Sequence, residues 1–567
     1  MSIPDQNSSP EAAPLRVACI GGGPGGLFSA IALAHTVPGS TIDVFERNSE
    51  SDVFGFGVVF SDATLDNVDR VDPVLRDALA EHGRHWDAIE VRSKGATTSA
   101  GGNGMSAVHR RVLLGALRDR ATELGARLHY STTVDVDALD ATGEYDLIVA
   151  ADGTNSAARG QFLDRLGHSV DEAEIKFIWF GTTFQFNGLT FLHKQSEHGN
   201  FAVHAYPIGS DLSTFIVETD EATWRRAGLD GFDMSAPPGE SDLMTQRYLE
   251  DLFADEIAGH PLVANNSRWA NFRTRRTRHW HTRAAQGTPV VLLGDAVHTA
   301  HFSVGSGTKM AMEDAAVLAQ AVAAHRDLDT ALAAFEDIRR PQVAKIQDSA
   351  MPSLSWWDHF GEYYRALDSW QFGFHFFSRA ISAEKMRVRD PGFVADAERA
   401  WSARYGAGPV DTRLAIGTRT LGSRLLQITE FSDDALCFSD GTTTVAAGTS
   451  PGDPDVAAIF TAPDADRTSL DEDTRADIDE LCALRPIAVA VRGGTALSRV
   501  LCAERIRFEH RIPVVVVDQP SSLRARRAVD EQDCAATLIL SGRADAVAFE
   551  PAPDAHARVL TSAEVAK

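Results

Sequence analysis

Residues 15–46 hold the arrangement that most restricts what this chain can become. Leu15-Arg-Val-Ala-Cys-Ile20 reads as a buried strand, Gly21-Gly-Gly23-Pro-Gly-Gly26 supplies G-x-G-x-x-G, and Leu27 to His35 continues as an apolar helix. A second strand, Thr41 to Phe45, ends on Glu46, about twenty residues beyond Gly26. Strand, glycines, helix, strand and acid in that order predict a βαβ unit built around a dinucleotide. Gly21, Gly23 and Gly26 then admit the pyrophosphate at a helix N-terminus, with Pro24 in the first turn. Glu46, with Arg47 beside it, faces the adenosine ribose.

Two later runs repeat the theme. After an apolar strand, Tyr145 to Ala150, comes Asp152-Gly153-Thr-Asn155-Ser156-Ala-Ala-Arg159. After another, Pro289 to Leu293, comes Gly294-Asp295-Ala296, and Gly305 and Gly307 open an Ala-rich helix from Met310 to Ala324. An aspartate at a strand end between small residues approaches a ribityl chain closely and accepts its hydroxyl protons. Bare amides at Gly305, Gly307 and Thr308 on a helix N-terminus suit the pyrimidine edge of a flavin, which is negative when reduced.

Three such motifs in this order, with Arg110 on a helix between them, resemble the single-component FAD monooxygenases related to p-hydroxybenzoate hydroxylase. Phe54-Gly-Phe-Gly-Val-Val-Phe-Ser-Asp-Ala-Thr-Leu-Asp-Asn67 and His298 to Lys309 are similar to the branch that hydroxylates salicylyl-CoA and 2-aminobenzoyl-CoA, over about residues 14 to 405. Phe177 to Thr182 and His204 to Glu218 also resemble the indole hydroxylase of violacein biosynthesis, which uses no CoA thioester. The resemblance implies bound FAD, NAD(P)H and O2 as cosubstrates, a flavin C4a-hydroperoxide, and an electron-rich aromatic ring as acceptor. The first expectation is an aromatic acyl-CoA, salicylyl-CoA at C5; 2-aminobenzoyl-CoA, a free indole or other aromatic, and a non-catalytic flavin-binding scaffold stay open. It further implies that Arg110 and Asp152 hold the central part of FAD and that Gly57 and Val58 lie beside the isoalloxazine.

Catalytic candidates are His298 and His301, between the flavin aspartate and the glycine turn, where an imidazole can orient a phenol or take its proton; the competing reading is a buried structural histidine. His204, Tyr206 and Phe302 are candidate substrate contacts. From Arg268 to Arg283 stand six arginines and no acid, within a chain of net charge -25. Arg273 and Arg276 there are expected to clamp CoA phosphates, so that Arg276→Ala raises the KM for an acyl-CoA; the alternative is a solvated face paired with surface carboxylates.

The acidity argues against nucleic acid as partner. No apolar run spans a bilayer, the polar start lacks a secretory pattern, and five scattered cysteines suit a reducing cytosol and no metal site. A homodimer is left open.

The expected fold class is α/β, a two-domain α+β flavoprotein hydroxylase. A Rossmann-like FAD domain (14–165 and 285–345) follows a disordered leader (1–13). An antiparallel-sheet substrate domain (166–284) and aromatic-rich helices (346–405) come next, the aromatics read as packing. Residues 406–567 predict a small α/β domain resembling a truncated old-yellow-enzyme barrel, too short for eight strands, with Asp518 where a phosphate turn would stand.

Overall fold

A computed structural model describes residues 14–551 apart from 54, 62–65, 234–238, 306, 450–454, 466 and 520–529. The expected leader lies outside the described residues, as do most of Ser450 to Asp455, whose Pro and Asp content reads as a linker, and most of Ser522 to Glu531, which reads as a helix. The chain divides into two compact units, one ending at Ile89 and resuming over Asn103–Ala350, the other made of Glu90–Gly102 and the chain from Met351 onward.

In the first unit a six-stranded sheet runs in the order His281–Arg283, Pro289–Leu292, Leu147–Ala150, Arg16–Ile20, Thr41–Phe45, Arg127–His129. All neighbours are parallel except the first hairpin. The three central strands are buried on both faces, which is why they read as unbroken apolar runs. Their register aligns the carboxyl ends: Ala151 N donates to Ile20 O at 2.8 Å and Leu293 N to Ala150 O at 3.1 Å. Motifs separated by more than a hundred residues thus end side by side, where open α/β sheets bind ligands.

The helices Pro24–Thr36, Gly307–Ala324 and Arg110–Glu123 pack on this sheet, and their apolar residues share its core. Gly26 is fixed by that packing, since a Cβ there would lie 2.0 Å from Gly21 O. Gly21 has φ +109° and a Cβ would meet Ala151 O at 2.4 Å.

The antiparallel sheet of the same unit orders Leu262–Val263, His168–Thr182, Ser213–Thr219, Asn200–Pro207 and Leu189–Gln195, with Ala270–Thr277 also paired to His168–Thr182. That last pairing shifts register between Glu172 and Lys176, a bulge. The FAD domain and the sheet expected as separate domains fall in one unit.

The second unit contains a closed seven-stranded barrel: Leu425–Phe431, Ala435–Ser439, Thr444–Gly448, Ala457–Thr461, Val489–Arg492, Val514–Asp518 and Ala546–Phe549. The first two contacts are antiparallel, and the rest, including the closing one between Leu425–Phe431 and Ala546–Phe549, are parallel. The truncation expected from length is met by closing on fewer strands. Leu426, Phe438, Val445, Ile459, Val515 and Val517 fill the interior together with Leu414, Ile416 and Leu421 of a short hairpin. Asp518 is buried and accepts a hydrogen bond from Arg499 at 2.6 Å. The aromatics Trp356, Trp357, Phe360, Tyr363, Phe372, Phe374 and Phe376 are all buried, many in edge-to-face contacts at 5.0–6.0 Å, as expected of packing.

Candidate active site

A cavity of about 820 Å³ opens at the carboxyl ends of the three central strands. Its floor is Gly23, Pro24, Gly25, Gly153, Leu293 and Asp295, and its roof comes from the antiparallel sheet through Phe177, Trp179, Tyr206, Trp269 and Phe272. A second cavity of about 150 Å³, lined by Gly22, Glu46, Asn48, Arg118 and Tyr130, shares Gly23 and Arg110 with the first. Arg110 therefore stands at the junction of a large chamber and a small one.

The donors on this floor suit a dinucleotide. Gly23 caps the helix Pro24–Thr36, and a Cβ there would meet nothing within 4 Å, so the loop leaves open space at a helix N-terminus. Pro24 at the start of that helix costs no amide the helix needs. Glu46 accepts Gly22 N at 2.8 Å and Asn48 N at 2.9 Å, which fixes its carboxylate at the mouth of the small cavity. The Arg110 guanidinium is enclosed, and burial lowers its pKa against the pull of Asp295 and Tyr206.

Asp295 is open to the cavity itself; enclosure raises its pKa, opposed by His298, Arg110 and Arg275. Asp152 accepts Ala158 N at 3.1 Å and leaves its other oxygen buried without a partner. Gly305, at φ +60°, ends the short turn Phe302–Val304, and Gly307 begins the helix Gly307–Ala324, so that helix points its N-terminus at the cavity with Thr308 on the wall. Gly57 and Val58 line the same chamber, and a Cβ on Gly57 would lie 2.2 Å from Ile208. Arg47, expected beside the ribose, is exposed and lines neither cavity.

The two histidines read as catalytic are placed otherwise. His298 is buried against Asp314, Nε2 to Oδ2 at 2.7 Å; Asp314 also accepts Gly294 N at 2.9 Å and Arg339 Nε at 2.8 Å. His298 and Arg339 hold the Asp314 carboxyl at about 2 despite its burial. His298 is thus part of a clamp behind the Gly294–Asp295 turn and does not line the cavity. His301 caps the following turn, with Nδ1 2.8 Å from Ser303 Oγ, and its ring meets Phe272 edge-on and Phe302 at a tilt instead of lining the chamber. Both histidines therefore stand outside the residues that line the chamber.

His204 is also enclosed, 2.6 Å from the Glu218 carboxylate, whose pKa burial drives well up. Its ring lies 5.3 Å from that of Phe302, which lines the chamber wall. Tyr206 does line it, with its hydroxyl 3.4 Å from Gly57 O and its pKa raised by burial, so the phenol stays protonated.

The arginine run divides by environment. Arg273 pairs with Glu172 at 2.6 Å and Arg276 with Asp171 at 2.9 Å and Asp348 at 3.7 Å; Arg283 pairs with Asp329, and Arg268 donates to Glu240 O at 2.9 Å. Arg273 still lines the cavity, whereas Arg276 is turned outward to exposed carboxylates. Arg275, singled out by nothing in the sequence, is buried and lines the chamber. Phe177, Trp179, Trp269 and Asn271 were equally unmarked as contacts; their signal was only the alternation of two strands that meet at a bulge.

Among the described residues no group of three His, Cys, Asp or Glu is placed to hold a metal ion, and no helix is long and apolar enough to cross a membrane.

Comparison with known proteins gives the same picture. Residues 15–350 match the family described as FAD binding domain. The chain is 49% identical over 540 residues, 94% of its length and 99% of the relative's, to a salicyloyl-CoA 5-hydroxylase from Streptomyces sp.. It is 35% identical over 342 residues (60% and 89%) to a 3-hydroxy-4-methyl-anthranilyl-[aryl-carrier protein] 5-monooxygenase from Streptosporangium sibiricum. It is 31% identical over 357 residues (61% and 89%) to a protodeoxyviolaceinate monooxygenase from Chromobacterium violaceum.

Proposed function

Because the chain belongs to the FAD binding domain family and is an FAD-dependent aromatic-ring monooxygenase spending NAD(P)H and O2, we propose that its substrate is an aromatic acyl-CoA thioester, salicylyl-CoA hydroxylated at C5. The observation that carries this reading is coverage. Similarity to the salicyloyl-CoA 5-hydroxylase extends over 94% of the chain, the barrel included, whereas similarity to the relatives acting on a carrier-bound anthranilyl group or on protodeoxyviolaceinate covers 60% and 61%.

Each residue's part follows from its place. Gly21, Gly23 and Gly26 with the helix start at Pro24 receive the FAD pyrophosphate, Arg110 adds a positive charge where the two cavities join, and Glu46 serves the adenosine ribose in the small cavity. Asp295 accepts ribityl hydroxyls, and the amides at Gly305, Gly307 and Thr308 face the flavin pyrimidine. When bound and reduced by NAD(P)H, FAD supplies the activated oxygen.

The protein's remaining work is to orient the ring and exclude water. Phe177, Trp179, Phe272 and Phe302 give the chamber aromatic walls that stack on an aryl group and keep it dry. Tyr206, held protonated, offers its hydroxyl to the substrate phenol. An ortho hydroxyl donates electron density to the ring carbon para to it, so an electrophilic oxygen attacks there.

The test is NAD(P)H consumption by the purified yellow protein with salicylyl-CoA, free salicylate and an indole in parallel, products read by mass. Rapid consumption with gain of one oxygen on the thioester alone is expected. Equal turnover of the free acid or the indole overturns the acyl-CoA reading.

A further inference from the structure

Six arginines are buried among the described residues: Arg159, Arg275, Arg339, Arg424, Arg499 and Arg543. Five of them donate from their guanidinium groups to acceptors within the protein, although Arg424 leaves its Nε buried without one. Arg159 donates to Ala296 O and Thr154 O, Arg339 to Asp314, Arg424 to Asp545 O, Arg499 to Asp518 and Arg543 to Ser378 and His375 O. Arg275 alone makes no side-chain hydrogen bond or ion pair with any described residue, and its Nε is buried without an acceptor. A desolvated, unpaired guanidinium is costly, and proteins keep one where a ligand completes it.

Its placement is deliberate in the physical sense. Arg275 N donates to Thr299 Oγ1 at 2.8 Å, and its carbonyl accepts from Thr299 N at 3.3 Å and from Gln347 Nε2 at 2.8 Å. The backbone is therefore pinned while the side chain, 6% exposed, lines the 820 Å³ chamber. Arg159 and Arg273 lie close enough to act on it electrostatically, and the opposing carboxylate, Asp295, acts only through space. Clustered guanidinium charge with a free fork suits a multiply charged oxyanion far better than a lone carbonyl. The FAD pyrophosphate has the glycine loop, a helix N-terminus and Arg110 for its own charge. Arg275 is left over for something that arrives later.

We propose that Arg275 grips the diphosphate of an adenosine diphosphate group on a visiting ligand, a moiety shared by the nicotinamide dinucleotide and by an acyl-CoA. Only the second source rests on the acyl-CoA reading above.

The experiment compares full-length, FAD-loaded wild type with Arg275→Met and Arg275→Lys. Flavin reduction without oxygen is followed against NADH and NADPH concentration, and salicylyl-CoA binding is followed by the change it makes in the flavin spectrum. ADP is added as the probe of the shared moiety. Expected are unchanged FAD content, competitive inhibition of wild type by ADP that Arg275→Met loses, and half-saturation raised about 10- to 100-fold for one ligand. Arg275→Lys recovers part of this, since it keeps the charge and loses the fork.

A rise for the dinucleotide alone assigns that source, and a rise for the thioester alone assigns the other. Unchanged half-saturation for both, or loss of FAD as the only defect, overturns the proposal. A wild type indifferent to CoA thioesters defeats the substrate reading but leaves the reduction arm to judge Arg275. If Arg275→Met does not fold, ADP competition in wild type against Arg275→Lys decides.

Discussion

The cavity of the first unit and the polar interior of the second treat buried charge in opposite ways. Around the cavity, Gly23 leaves open space, Asp152 keeps an oxygen unpartnered and Arg275 keeps a whole guanidinium unpaired. In the second unit the charges around Glu504, Asp545 and Asp518 close on one another. Glu504 receives Tyr363 Oη at 2.6 Å, His375 Nε2 at 3.0 Å and Arg543 Nε at 3.2 Å, while Trp356 Nε1 donates to His375 Nδ1 at 2.8 Å. Arg507 pairs with Asp545 at 2.7 Å, and Arg499 with Asp518 at 2.6 Å. The groups that face the cavity carry valences a ligand can meet, whereas the network around Glu504 meets its own. In the barrel, Arg499 is met by an internal carboxylate, Asp518.

The widest break in that contrast is at the glycines. Gly26→Ala forces a Cβ to 2.0 Å from Gly21 O, and complete loss of bound FAD is expected, with a colourless or unfolded protein. Gly23→Ala meets no protein atom within 4 Å, so it is expected to melt like the wild-type apoprotein yet bind FAD weakly. Flavin absorbance after reconstitution, set beside melting of the apoprotein, checks both. Equal FAD affinity in Gly23→Ala would show that the cradle is not the pyrophosphate site.

In the second unit the largest effect is expected from Glu504→Ala, which strands Arg543 in the interior at a cost of about 3–5 kcal/mol. Calorimetric melting should fall accordingly while FAD content holds, because the network lies outside the cavity. A milder probe is acid. Burial holds the His375 imidazole at about 4, below its ordinary 6.5, against the pull of Glu504. The unfolded chain then takes up that proton first, so stability present above pH 6.5 is lost as pH falls toward 4, about 3 kcal/mol in all. Asp314 in the first unit, held at about 2, begins to cost stability only below the ordinary carboxylate range near 4. Melting between pH 7 and 4 should therefore show a slope that His375→Gln removes; an unchanged slope would place its origin elsewhere.

What the sequence disclosed follows the same division. Glycines, strand-end acids and helix starts are local patterns, so the runs Gly21 to Glu46 and Gly294 to Gly307, members of which line the two cavities, stand out without knowledge of the fold. The side-chain environment of His298 depends on Asp314, 16 residues away, and on Arg339, a further 25 residues along, and no spacing announces that clamp. Closure of the barrel was hidden for a related reason: its closing pair joins Leu425 to Val547, and pairing so remote leaves no periodic trace. Arg275 was concealed by company, one of six arginines in sixteen residues, and only burial separates it from the others.

The smallest effect belongs to a neighbour one residue away. Arg276 reaches Asp171 at 2.9 Å and Asp348 at 3.7 Å, and both carboxylates are about 70% exposed. Such pairs contribute about 0–1 kcal/mol, screened by salt. Arg276→Ala is expected to leave FAD content and the half-saturation for NAD(P)H and salicylyl-CoA unchanged, and to shift melting slightly, less so in high salt. Steady-state kinetics beside Arg275→Met make the comparison on one strand, with adjacent arginines of the same charge and opposite surroundings. If Arg276→Ala weakens the thioester as much as Arg275→Met, exposed and paired arginines share in binding, and the rule that unmet valence marks the ligand site fails for this cavity.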